Sequence, residues 1–348
     1  MTPENDPTWM PALATIDCVQ RHRGYSQKRE DRRLLPTLLA AAAAGMAGTF
    51  VELGAFDGIS GSNTLLLERC FNWTGLLIEA NPHNFAMLKL SGRSRSKVVH
   101  SAICTGDGSA GQTIPITTVG GVTSGDPTLF SKGFRNMWHG GKRELPTVDV
   151  PCQSLDSLME RAGLHRATFL SLDVEGAEEA VLGAVDPRRF QVIMAEAEGH
   201  EAAMDERIRS LLLAKGLLEA KWLQVSMSRV FVAPSVPRLA RWDLSPVLAP
   251  HAHENEVRMG YCQPTSPNDE GDCSRGQQGS WRIGSAPSEL KSAVECYKRC
   301  RVRCRSCRFV SISVRDGDCS WYASCDAKSG GFDKQRRHEQ DHYTFQIR

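Results

Sequence analysis

From about residue 34 to 235, short apolar runs alternate with longer stretches whose apolar positions recur at helical spacing. Buried parallel strands read as near-continuous apolar runs, and the covering helices as one-faced patterns. Strands are expected at 50–54, 75–79, 97–104, 168–173, 191–196, 217–224 and 228–233, and helices at 62–70, 82–91, 154–162, 175–184 and 202–215. That alternation predicts an α/β domain, a parallel sheet with helices on both faces, whose last two strands close as a hairpin. Residues 34–53 contain Pro36 and the alanine run Ala40 to Ala44, and read as a helix followed by the first strand rather than a membrane span.

The rhythm breaks twice. Residues 105–150 are rich in Gly, Thr, Ser and Pro and hold Phe130, Phe134, Met137 and Trp138. A connection that long inside a compact domain is usually functional or disordered, and its aromatics point to a substrate lid. Residues 236–257, with Pro237, Pro246 and Pro250, read as a linker. The expected organisation is a poorly ordered lead-in over 1–33, an α/β domain over 34–235, the linker, and a cysteine-rich domain over 258–348.

Two segments carry the chemistry. Val51-Glu52-Leu53-Gly54-Ala55-Phe56-Asp57-Gly58 is a strand emptying into a glycine-containing loop, and Gly75-Leu76-Leu77-Ile78-Glu79-Ala80-Asn81-Pro82 is a second strand ending in an acid. Glycines permit a tight turn and bring backbone N–H groups close to a ligand. An acid about twenty residues beyond such a loop suits a ribose diol. Phe56 breaks the dinucleotide spacing, and the loop acids Glu52 and Asp57 would repel a pyrophosphate. A cationic sulfonium on a neutral adenosine meets no such repulsion, so S-adenosylmethionine (SAM) fits better than NAD. A third segment, Ser171-Leu172-Asp173-Val174-Glu175-Gly176-Ala177-Glu178, ends a strand at Asp173 and starts a helix near Glu175, placing Asp173 at the same crevice. A further strand ends at Glu196, followed by Glu198 and His200. Solvated carboxylates at a cleft rim are expected there rather than a metal, and no metal is assigned.

With these segments read, the chain resembles the FkbM-type SAM-dependent methyltransferases, and within them the eukaryotic Star-like branch, over roughly residues 48–233. Ser62-Asn63-Thr64-Leu65 and the 171–178 block carry the likeness further. The resemblance implies a Rossmann-like seven-stranded methyltransferase sheet, SAM as cofactor and methyl transfer to a hydroxyl oxygen, often of a sugar. It implies that Glu52, Gly54, Ala55, Asp57 and Gly58 line the methionine side of the cofactor. Glu79 would hold the ribose hydroxyls, Asn81 would also contact the cofactor, and Ser101 with Ala102 would lie near the adenine. Asp173 and Glu175 match the acidic block near the transfer site. Asp173 is the first candidate for general base and His200 the second, with His100 and His139 as outsiders. Some Star-like members look like trafficking or binding proteins, so a non-catalytic protein that keeps the fold is the alternative.

Eight of the twelve cysteines crowd the last ninety or so residues. Such density indicates disulfides in an oxidising compartment, or zinc. Paired Cys-x2-Cys knuckles are absent, only Cys304 and Cys307 having that spacing. Cys296 and Cys300 share one helix face, followed by alternating strand patterns from Cys307 and from Cys319. This resembles a PAN/apple domain, which implies pairing of Cys296 with Cys319 and of Cys300 with Cys307, in a module that binds carbohydrate or protein. The partners of Cys262, Cys273, Cys304 and Cys325 stay unassigned. A net charge of +2 implies no nucleic-acid partner. The start of the chain shows no secretory signal, and no membrane span is expected. The cysteines nevertheless point to the secretory pathway or the cell exterior, with the cytoplasm as the alternative.

Overall fold

The computed structural model describes residues 15, 18–19, 22, 24–43, 48–104, 111–119, 121–197, 202–223, 225–236, 257–259, 261–266, 268–283, 291–313, 316–325 and 342–346. Most of the expected lead-in before residue 24, the expected linker from 237 to 256, and His200 lie outside them. Two compact units result, one of residues 24–237 and one of residues 1–23 with 238–348.

The first unit is built on a seven-stranded sheet. Its strands are β1 (Thr49–Leu53), β2 (Thr74–Glu79) and β3 (Ser96–His100), then β7 (Ala167–Leu172), β8 (Phe190–Glu196), β9 (Leu218–Glu219) and β10 (Ser228–Val232). Three intervening strands, β4 (Ala102–Ile103), β5 (Thr113–Thr117) and β6 (Thr147–Gln153), form a separate small sheet. The main order is β3-β2-β1-β7-β8-β10-β9. The pairs from β3 to β8 run parallel, and β10 runs antiparallel to both of its neighbours. The chain therefore winds outward from β1 in one direction and resumes at β7 in the other, which puts a topological switch point between β1 and β7. Every residue of β7 is buried, as a central parallel strand covered on both faces requires.

Helices α1 (Glu30–Ala43), α2 (Leu65–Phe71), α3 (Pro82–Leu88), α4 (Lys132–His139), α5 (Leu155–Ala162), α6 (Glu178–Ala184) and α7 (Ala202–Ala214) complete the unit. The apolar run at 34–41 is the buried part of α1, which packs on β7 and β8. None of the described helices is long and apolar enough to cross a membrane. The main core joins Val51, Leu53, Leu76, Ile78, Leu170, Leu172, Ile193 and Phe231 to Leu158, Met159, Leu182 and Leu212 from α5, α6 and α7.

Four expectations need correction. The run at 97–104 is two strands, because at Ser101 the chain leaves the main sheet and Ala102 pairs with Cys152 instead. The run at 217–224 pairs only at Leu218 and Glu219, then tightens into a 3₁₀ turn over Lys221–Leu223. Residues 111–153 are not a bare loop: β5 and β6 form an antiparallel ribbon, and Cys104 is bridged to Cys152. Phe130, Phe134 and His139 stack on one another as a buried local core, so most of the aromatic signal there serves packing. Helix α6 starts at Glu178, because Glu175 and Gly176 take left-handed φ values of 57° and 101°.

The described part of the second unit is a five-stranded antiparallel sheet, β11 (Val257–Met259), β12 (Gln278–Arg282), β13 (Phe309–Ser313), β14 (Asp318–Tyr322) and β15 (Tyr343–Gln346), with one helix, α8 (Lys291–Lys298). Cys296 pairs with Cys319, which ties α8 to β14, and Cys300 pairs with Cys307. Cys262 pairs with Cys325 and Cys273 with Cys304. All twelve cysteines of the chain are disulfide-bonded. With few large apolar side chains beyond the Trp281–Trp321 stack, these bridges carry much of the unit's rigidity.

Candidate functional site

The carboxyl ends of β1, β2, β7 and β8 open into one cavity of about 570 Å³ beside the switch point, the usual place for a ligand in such a sheet. Its floor is Gly54 and Ala55 on one side and Asp173 and Val174 on the other. Ser101, Ala102, Ile103, Ile114 and Ile116 line it as well, as do Gly121, Thr123 to Asp126, Leu129 and Trp138.

The loop after β1 is held in an unusual conformation. Gly54, Phe56 and Gly58 all have positive φ, at 75°, 48° and 76°. A side chain at Gly54 would overlap the carbonyl oxygen of Asp173, so only glycine lets the two strand ends approach this closely. Phe56, not a glycine, pays the conformational cost of its own φ, and a buried carboxylate offsets it: the Phe56 N–H donates to Glu79 Oε2 at 2.8 Å. Glu52 lines the cavity, but its oxygens are already engaged by the Asn63 N–H, the hydroxyls of Ser62 and Thr64, and more distantly Arg93. Its role is to shape the 62–64 loop.

Asp57 and Gly58 do not line the cavity, contrary to expectation. Asp57 accepts from the N–H groups of Ile59 and Ser60, closing its own turn. Gly58 faces Leu88 and Ser91, so the absent side chain makes room for the end of α3.

Glu79 sits at the tip of β2, 5% exposed, with Oε1 accepting from the Asn81 N–H at 2.7 Å. Burial pushes its carboxyl up to about 7, against the pull of those backbone N–H groups. Asn81 is likewise off the cavity: its Oδ1 caps α3 by accepting from the His83 and Asn84 N–H groups, and its amide donates to the Thr117 carbonyl. Asn84, one turn on, does line the cavity.

At the far wall, carboxylate oxygens of Asp173, Glu175 and Glu196 lie within 4.8 Å of one another. Burial, then the nearby charges of Asp173, Glu175 and Glu178, drive the Glu196 carboxyl strongly up, with a side-chain hydrogen bond to Asp173 adding to the effect. An oxygen-only trio of this kind is also a donor set that hard divalent cations accept. Beneath it, the fully buried Glu178 accepts from the N–H groups of Val174 and Gly176, which fixes the turn that presents Asp173 and Glu175.

Residues 52–218 match the methyltransferase FkbM domain. The first unit therefore carries an FkbM methyltransferase domain. Among solved structures, the chain is similar to a methyltransferase FkbM from Methylobacillus flagellatus KT, at 14% identity over 53% of this chain and 43% of that one, with a TM-score of 0.33. The match thus spans less than half the length of that relative. It is similar to a precorrin-6y C5,15-methyltransferase from Geobacter metallireducens GS-15 at 14% identity, over 53% and 70% of the two chains, with a TM-score of 0.27. An O-methyltransferase from Bacillus cereus, solved with SAH, is 13% identical over 64% and 90% of the two chains, with a TM-score of 0.31. No curated protein matches the chain.

Within the FkbM domain, the structure thus gathers Glu52, Gly54, Ala55, Glu79, Ser101, Ala102, Asp173 and Glu175 at one cavity. The two outsider histidines have structural partners: His100 meets the Ala80 carbonyl and stacks on Phe85, and His139 meets the Thr123 carbonyl beneath Phe130. Glu196, expected as a solvated carboxylate at the cleft rim, is instead a partly buried member of the acid trio, and Glu178 and Arg93 behind the cavity were not singled out as site residues. Arg93, 5% exposed, donates to Glu68, the Gly58 carbonyl, Ser62 and Thr64, knitting the back of the β1 loop. No local pattern marks an arginine as a buried hub, because its partners come from 25 to 35 residues away.

Proposed function

We propose that the FkbM domain binds SAM and transfers its methyl group to a hydroxyl oxygen of a small-molecule acceptor, with a carbohydrate preferred. The observation that carries this reading is the pairing of Gly54 and Glu79 across one cavity. The glycine lets the ends of β1 and β7 close together into the floor on which the amino-acid end of the cofactor would rest, and the carboxylate at the tip of β2 would meet its ribose. Ser101 and Ala102 then flank the adenine, with Ile103, Ile114 and Ile116 supplying apolar surface.

When bound, SAM supplies an electrophilic methyl group on a sulfonium that is already a good leaving group. The protein's task is alignment and the removal of one proton. Asp173 stands at the cavity wall beside Glu196, whose carboxyl burial and the neighbouring acids push strongly up. The Asp173 carboxylate takes the acceptor's hydroxyl proton as the oxygen–methyl bond forms. Trp138 and Leu129, at the cavity and both partly exposed, offer an apolar face against which a sugar ring packs.

We further read the second unit as a PAN/apple-like module that binds carbohydrate or protein. The bridges from α8 and its continuation, Cys296–Cys319 and Cys300–Cys307, support this reading. Twelve bonded cysteines support a site of action in the secretory pathway or outside the cell.

Calorimetric titration of the full chain with S-adenosylhomocysteine (SAH), followed by turnover of methyl-labelled SAM against a glycan panel, tests the central reading. Micromolar SAH affinity and label on a glycan hydroxyl are the expected results, and no SAH binding removes the enzyme assignment.

A further inference from the structure

Gln27 lines the cavity, although the FkbM match begins only at residue 52. The stretch before α1 was expected as a poorly ordered lead-in, yet its end is pinned to the domain. Asp31, fully buried in the first turn of α1, accepts from the Tyr25 N–H at 2.7 Å and from the Ser26 hydroxyl at 2.8 Å. The Tyr25 hydroxyl accepts from Arg69 on α2 at 2.7 Å, and the same guanidinium lies over the Tyr25 ring. Ser26 pairs with Gly61 in a single parallel bridge. The chain then turns, the Arg29 N–H donating to the Ser26 carbonyl at 3.4 Å. Gln27 stands at the tip of that turn and is exposed. Its backbone is thus anchored on both sides while its side chain is open to whatever enters the cavity.

Position and chemistry together say what meets it. Gly61, the bridge partner of Ser26, leads into Asn63, whose amide donates to Ser171 Oγ at 3.0 Å. Ser171 lies on β7, two residues before Asp173, so Gln27 is tied to the side of the cleft that holds the acids. Glu79 stands on β2, on the opposite side of β1 from β7. A primary amide offers an acceptor oxygen and two N–H donors without charge, and that of Gln27 makes no hydrogen bond to the described residues. The charged amino and carboxylate groups of a methionine moiety are held best by charged or backbone partners. Adjacent hydroxyls, each donor and acceptor at once, match an amide at both of its ends. We propose that Gln27 is a specificity-determining contact for the methyl acceptor, its amide bridging two neighbouring hydroxyls of a polyhydroxylated molecule such as a sugar ring. This rests on the reading that the cavity methylates a hydroxyl. Specificity is carried by segments added to a rigid scaffold more than by the scaffold itself, and Gln27 sits on such a segment.

The test uses the full chain, methyl-labelled SAM, and the methyl glycosides of glucose, galactose, mannose and xylose, each with its monodeoxy counterparts. Wild type is expected to label at least one glycoside, and to lose about tenfold in kcat/KM when either of two adjacent hydroxyls, other than the one methylated, is removed. Gln27→Ala should raise the KM for that glycoside about tenfold, leave SAH affinity by calorimetry within twofold of wild type, and cancel the penalty at those two deoxy positions alone. Gln27→Glu keeps an acceptor and loses the donors, so it should cancel the penalty at one of the two. Penalties that persist in Gln27→Ala would make the residue part of the rim's shape only, and a parallel loss of SAH affinity would put it on the cofactor; either outcome overturns the proposal. So does a wild type for which no adjacent pair of hydroxyls matters, a result that does not depend on a variant folding. A wild type that binds SAH but labels no glycoside is a distinct result, which removes the acceptor reading and this one with it.

Discussion

The missing side chain of Gly54 leaves the space that the carbonyl oxygen of Asp173 occupies. This one relationship brings the end of β1 against the end of β7 and sets the floor of the cleft. Gly54→Ala should therefore do two things. The clash and the positive φ should destabilise the first unit by about 1–3 kcal/mol, read as a lower melting temperature. The displaced strand end should reduce SAH affinity at least tenfold by calorimetry, and a variant that binds normally would contradict the proposed seat of the amino-acid moiety.

Glu79 predicts a pH dependence of binding. Its carboxyl, raised to about 7 by burial, is half protonated near neutrality. Only the ionised form offers both oxygens purely as acceptors to the ribose. SAH affinity should therefore rise between pH 6 and pH 8 and then level off. Glu79→Gln should bind more weakly and lose that dependence, which titrations at three pH values would show.

Glu178 predicts a pH dependence of stability with the opposite trend. Its carboxyl is also raised to about 7, by burial, whereas in the unfolded chain it titrates near the ordinary glutamate value. The folded state thus holds the proton more tightly than the unfolded one between those two values. The contribution is full below the unfolded value and is lost as pH rises through about 7. A shift of this size is worth on the order of 3 kcal/mol. Melting temperatures should fall from pH 5 to pH 8, and Glu178→Gln should flatten that slope.

Asp173→Asn should leave SAH affinity within a few-fold of wild type and lower methyl transfer by on the order of 10²- to 10⁴-fold, the usual span for loss of a general base. Glu196→Gln keeps a neutral donor toward Asp173 and should cost far less. Equal losses in the two variants would instead make the acid cluster a purely structural unit.

Trp138→Ala should separate the two halves of the cleft. Trp138 lines the cavity and is 47% exposed, so a large part of its surface is free to meet an acceptor. Its removal should raise the KM for the acceptor several-fold while leaving SAH binding unchanged, measured by initial rates at saturating SAM.

The parts of the fold that repeat a local pattern were legible in the chain itself. The β1, β2, β7 and β8 runs lie within a residue of their expected limits, because central parallel strands are continuously apolar. Glu79 and Asp173 were readable as strand-tip acids for the same reason. The residues misplaced were those whose role depends on a distant partner. Gly58 looks like a ligand glycine but answers to Leu88 at the end of α3 and to Ser91 just beyond it. Asn81 looks like a cofactor-binding residue but caps a helix. Glu175 was expected in a first helical turn, and only the Glu178 carboxylate, folded back onto Val174 and Gly176, shows why the helix starts later. Residues 111–153 carried no clear period because their strands pair with one another in a small side sheet.

The Cys104–Cys152 bridge belongs to the FkbM domain, not to the cysteine-rich tail. It closes a loop of 48 residues, a constraint worth about 4 kcal/mol on chain-entropy grounds, and that loop contains segments that line the cleft. Production in a thiol-reducing host would thus yield a protein whose sheet forms while that lining does not. Binding and transfer assays on such material would come out negative for reasons of oxidation state alone.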